Sequence, residues 1–134
     1  MNTKLTFKQI ITAAAVASGV ALVVNAILFY IFHAAGVITD DIMIQPGQAM
    51  TIVPILISSV MPTMVGACVF FLFEKFGKSG FKTFSIVSLI LLVVSFINPF
   101  VGIPNVTVAY AVVLNIMHVV VAGSLLYFIK RAKQ

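Results

Sequence analysis

The stretch VAYAVVLNIMHVVVAGSLLYFI, residues 108–129, decides how the rest of the chain is read. It is an unbroken apolar run without a charged residue. As a helix it is long enough to cross a bilayer core, which takes about 20 apolar residues. Near its middle it carries Asn115 and His118, one helical turn apart, on a face shared with Ala111 and Ala122. An amide and an imidazole at that depth are costly in lipid, and such residues normally turn towards the protein interior and find partners. The stretch therefore predicts neighbouring helices as well as itself.

The composition agrees. Of 134 residues, 62% are hydrophobic and 8% charged, where a water-soluble domain has about 25% charged residues. The net charge of +5 would suggest nucleic acid if the basic residues formed a stripe. They sit instead at the ends of apolar runs, so no nucleic-acid partner is expected and membrane lipid is. Cys68 stands alone, which excludes an intrachain disulfide or a paired redox motif, and it reads as a buried packing residue. Lys4 and Lys8 precede an apolar run too long for a cleavable signal peptide, so this run is read as a retained span.

Four spans follow, at about 10–33, 52–73, 84–100 and 108–129. Thr6 and Gln9 fit a capping box before the first. Ala14, Ser18, Ala21 and Asn25 make a small-residue face along it, allowing close helix approach. Tyr30 and His33 suit the headgroup layer at its far end. The β-branched segment 37–44 and the turn residues Gln45-Pro46-Gly47 predict a short strand or hairpin across the bundle mouth. In the second span Pro62 should free a carbonyl and kink the helix, with Ser58, Ser59 and Thr63 placed to serve freed groups. Ser85, Ser88, Leu92, Ser95 and Asn98 share one face of the third span, which Asn98-Pro99 should end.

All eight Lys and Arg residues fall before the first span, between the second and third, or after the fourth. The other two loops carry none, and Asp40 and Asp41 lie there. The positive-inside rule then puts both termini in the cytoplasm. Counted at about 1.5 Å per residue from the lysine-bearing end, Asn25, Ser59, Asn98 and Asn115 come to about 21–23 Å. His118, Pro62 and Ser95 come to about 16 Å, close to the midplane. Two readings of this layer stand side by side. The side chains hydrogen-bond one another as glue, each contributing about 0.6 and at most about 1.7 kcal/mol. Alternatively they wall a polar pocket open to the outside, with His118 at its floor, where it could hold a small-molecule ligand or take up a proton.

Other chemistry finds little footing. Haem ligation by His33 and His118 needs matched depth, which they lack. A zinc site lacks ligands. Asp40 and Asp41 could hold a cation with loop carbonyls but read as solvated acids. Glu74 is expected to pair with Lys75 or Lys78 at the interface. No cofactor, metal or catalytic triad is expected. Without an intramembrane acid the chain does not fit a small proton-coupled multidrug exporter.

From the second span onward, Phe73-Glu74-Lys75, the run Ser95-Phe96-Ile97-Asn98-Pro99-Phe100, and Met117-His118 followed by Val119-Val120-Val121-Ala122 carry a resemblance. On these residues the chain resembles the domain of unknown function family 6069 (DUF6069), four-span bacterial membrane proteins. Its Lys and Phe usage departs from the Arg and Ala of other members. The resemblance implies a four-helix integral fold in a bacterial cytoplasmic (inner) membrane, and no activity.

The expectation is thus an all-α, multi-pass, four-transmembrane-helix bundle with a short extended segment in its first outer loop. Its role would be non-enzymatic, as a binding or accessory component built around Asn25, Ser59, Ser95, Asn98, Asn115 and His118. The alternative is a homo-oligomeric small-solute transporter or channel subunit, although the two halves of the chain share one orientation, against an inverted repeat. A membrane enzyme using His118 as a base is the third reading.

Overall fold

A computed structural model describes residues 3–134. Four helical segments long and apolar enough to cross a membrane make up the chain, which is a multi-pass membrane protein. Helix α1 spans Phe7–Ala34, and the expected capping box starts it. The Thr6 hydroxyl accepts from the Gln9 N–H at 3.3 Å, and the Gln9 amide oxygen accepts from the Thr6 N–H at 2.9 Å. Strands β1, Met43–Gln45, and β2, Gln48–Ala49, form an antiparallel hairpin. Pro46 and Gly47 turn it, with Gly47 at φ 75°, as a Pro-Gly turn with a left-handed second residue requires. Ile38, Ile42 and Met50 flank the hairpin and are buried against Phe29, Ile55 and Tyr110, so it seats on the bundle mouth.

Helix α2, Ile52–Phe76, stays helical through Pro62. Its hydroxyls do not serve the carbonyl that Pro62 deprives of a donor. Ser59 Oγ donates to the Ile55 carbonyl at 2.8 Å and Thr63 Oγ1 to the Ser59 carbonyl at 2.8 Å. Cys68 is exposed on the outer face of α2, which corrects its reading as a buried packing residue. At its position the bundle side of the helix is taken by Ala67 and Phe70.

The third span is interrupted at Asn98-Pro99, as expected, but helix resumes beyond it. Helix α3, Gly80–Ser95, ends before Asn98-Pro99, and a short helix α4, Asn98–Gly102, follows. Proline at 99 withholds the N–H that would bond the Ser95 carbonyl. The chain responds by tightening: the N–H groups of Phe96 and Ile97 reach back three residues, to Val93 at 3.2 Å and Val94 at 3.3 Å. Helix α5, Val108–Ala132, is N-capped by Thr107, whose hydroxyl accepts from the Tyr110 N–H at 3.2 Å.

Helix α1 packs on α2 and α5 through Ala13, Ala14, Ala17, Ser18, Ala21 and Asn25, all buried. Small side chains every third or fourth residue let backbones approach, and van der Waals contact then holds helices that lipid gives no reason to associate. Helix α3 is peripheral. Only 11% of its apolar window is buried, against 28% for each other span. It is pinned near its start, where Phe84 packs against Phe70 at a ring separation of 5.2 Å.

Both termini meet at the lysine-rich end. Glu74, 3% exposed, holds that end together. It accepts from the Leu5 N–H at 3.1 Å and forms an ion pair with Lys133. The expected partners Lys75 and Lys78 are not used: the Lys75 ammonium lies over the Phe76 ring, 5.3 Å from its centre, where the charge stays near water. At the opposite end His33 Nε2 lies 3.1 Å from Asp40 Oδ1.

Candidate functional site

The six polar residues singled out in the sequence do not form one network. They divide between the two flanks of the α2–α5 pair. On the α1 flank, Asn25 is 2% exposed and Ser59 fully buried. The Asn25 amide donates to Ser59 Oγ at 3.0 Å and to the Met117 carbonyl at 3.4 Å, so one side chain joins three helices. Of the four residues expected at this level, these two meet directly.

On the α3 flank, Asn115 donates to the Phe96 carbonyl at 3.1 Å. That carbonyl is free because its usual donor, the Phe100 N–H, bonds Ile97 instead at 3.1 Å. Ser95 does the same work locally, donating to the Leu92 carbonyl at 2.6 Å, which the displaced Phe96 N–H no longer reaches. Pro99 thus creates acceptors at a membrane level, and two of the predicted site residues satisfy them.

Asn98 is not an interior residue. It is exposed and opens α4, because the break at Phe96-Ile97 carries it off the face it would share with Ser88 and Ser95 in an unbroken helix. It lines the mouth of the bundle instead. The face of α5 bearing Asn115, His118 and Ala122 is also only partly buried. The deepest face of that helix is Tyr110, Leu114, Met117 and Leu125, whose bulk gave no sign in the sequence of being more buried than its neighbours.

Between its two pinned ends, α3 stands away from α2 and α5 and leaves a cleft of about 460 Å³. Its walls are apolar apart from Ser58, Ser88, Ser95 and His118. Val65 and Leu91, both exposed, form its rim, so it opens sideways. A second cavity of about 390 Å³ lies under the hairpin, lined by Gln45 and Asn98 among others. Ser58 and His118 border both cavities. His118 Nδ1 is buried and has no hydrogen-bond partner among the described residues. Ser58, whose carbonyl loses its helical donor at Pro62, lines the same junction. A wide apolar chamber with a few convergent polar atoms at one end is the usual form of a small-molecule site. The sequence carried the polar part of this in His118 and Pro62. It carried no sign of the chamber, which arises from how far α3 stands off.

These features belong to a recognisable class, the small four-span membrane bundle with a side-opening cleft. The chain is a member of DUF6069, a family of unknown function, whose profile matches residues 6–134. The match takes in the first span as well as the later ones that carried the resemblance. No curated protein and no solved structure matches the chain.

Proposed function

We propose that this protein is a non-enzymatic binding component of a bacterial cytoplasmic membrane, holding a small amphiphile in the cleft between α2, α3 and α5. The observation that carries the reading is the junction of the two cavities at His118 and Ser58. The apolar body of the ligand occupies the side-opening cleft. Its hydrogen-bonding head meets His118 Nδ1 and the Ser58 carbonyl, where a hydroxyl or primary amide can serve as donor and acceptor at once. Both termini lie in the cytoplasm, as the placement of all eight Lys and Arg residues indicates. The hairpin and its cavity then face outward.

The transporter or channel reading has less support. The cleft stops at Phe84 and Leu125, which belong to the packed cluster at the lysine-rich end. A pathway would need that cluster to part, or a second copy to complete it.

The test is thermal unfolding of the detergent-solubilised protein with farnesol, decanol and decanamide as probes. Wild type is expected to gain Tm with at least one of them, and His118→Leu to lose that gain while keeping its own Tm. Stabilisation that survives in His118→Leu would refute the site. Orientation is read separately in a Cys68→Ser background. Asp41→Cys should react with a membrane-impermeant maleimide on intact cells, and Lys78→Cys only after permeabilisation.

A further inference from the structure

A smaller cavity, of about 270 Å³, lies at the lysine-rich end, beyond the Phe84 floor of the cleft. Four lysines border it, Lys4, Lys78, Lys82 and Lys133, with Ser79 and the buried Glu74. We propose that it binds a phosphate-bearing anion, supplied by the headgroup of an anionic phospholipid.

The charges are the first argument. Four lysines line one cavity, and Glu74 is the one acidic residue among its lining. Its carboxylate is already engaged by the Leu5 N–H and by Lys133. Lys4 and Lys133 are held in place by the backbone, through the carbonyls of Lys75 at 3.2 Å and Thr3 at 3.3 Å. Lys78 and Lys82 have no ion-pair partner among the described residues. Like charges gathered round a hollow repel one another, and a bound anion of matching charge removes that cost.

The backbone is the second argument. Lys78 and Lys82 bracket the start of α3, whose first turn contains no acidic residue and whose Ser79 makes no side-chain cap. Ammonium groups at the positive end of a helix dipole are unfavourable there. The first-turn N–H groups of α3 and the lysines favour an anion at the same place, close to where the Glu74 carboxylate lies against Gly80. The turn into α3 packs tightly on α2. A Cβ on Gly80 would lie 2.7 Å from Glu74 Cα and 2.9 Å from Glu74 N, so only glycine fits against that backbone.

A phospholipid is the source that the location favours. The cavity lies where the spans leave the hydrocarbon, at headgroup level, and Phe81 on its wall offers apolar contact to the glycerol and first acyl carbons. Basic pockets between spans at the cytoplasmic side are the usual seats of anionic headgroups. The inference stands apart from the cleft and does not depend on what fills it.

Native mass spectrometry of protein released from mixed phosphatidylglycerol and phosphatidylcholine micelles tests it. Wild type is expected to retain phosphatidylglycerol selectively. Lys78→Gln/Lys82→Gln should weaken that retention by about tenfold or more, and Lys78→Arg/Lys82→Arg should restore it. Lys8→Gln/Lys130→Gln removes the same charge outside the cavity and should retain lipid as wild type does. Equal loss in the two glutamine variants, or no preference for phosphatidylglycerol, would overturn the site. Circular dichroism and elution volume establish that each variant is folded, as expected for exposed lysines. Delipidated protein is also heated with glycerol 1-phosphate against chloride at matched ionic strength. Stabilisation by the soluble phosphate that lipid cannot exceed would overturn the phospholipid as source.

Discussion

Helices α1 and α3 flank the same α2–α5 pair, yet α1 packs closely on it through a run of buried small residues and α3 stands off around a chamber. The α1 seam is built from alanines and a serine with one asparagine among them, all buried, and a hollow of about 430 Å³ opens towards its lysine-rich end, beside Lys8, Ala13 and Phe128. The α3 flank has serines at comparable spacing, but these lie half-buried around a cleft of about 460 Å³. Small residues therefore permit close approach without compelling it. What separates the flanks is the ends. Helix α1 is continuous, whereas α3 is wedged by phenylalanines at one end and broken before Pro99 at the other.

If the contrast is right, enlarging a residue should be costly on one flank and tolerated on the other. Ala21→Leu, in the α1 seam, should cost about 2–3 kcal/mol from overpacking, read as unfolding by SDS titration in mixed micelles. Asn25→Leu comes next, at about 1–1.5 kcal/mol, because it strips the bonds to Ser59 and Met117 while keeping similar bulk. Asn115→Leu should cost about 0.6–1 kcal/mol. Its sharper signature is faster hydrogen exchange at 96–101, since the Phe96 carbonyl loses its partner. Ala122→Leu, which fills the cleft from α5, should change stability by less than about 0.5 kcal/mol. It should nonetheless abolish the stabilisation given by the amphiphile probes. A large loss of stability in Ala122→Leu, or a small one in Ala21→Leu, would erase the distinction between the flanks.

Much of this was legible residue by residue. That Asn25 and Ser59 lie at one height followed from helical rise alone, but Asn98 and Asn115 were placed at that height too, and only the fold shows that Asn25 meets Ser59. The α1 seam and its capping box follow from local chemistry, as do the hairpin and its Pro-Gly turn. Asn98 misled because its face was assigned on an unbroken helix, while Pro99 acts on the turn before it and shifts every later residue. Glu74 misled because neighbours in sequence were weighed above the chain terminus, which only folding brings to it. Cys68 was read from residue type, and exposure to lipid costs a thiol little.

The sequence by itself determined the number of crossings, the end at which the charges gather, and the heights of the polar side chains. Each depends on one residue's transfer energy or one helix's rise, and neither needs a neighbour. The tertiary structure alone decided which of those side chains meet, how Glu74 ties both termini together, and that a chamber exists beside His118. Those outcomes depend on the distances between helices, which are set by the sum of many contacts and by two interruptions at the ends of a single span.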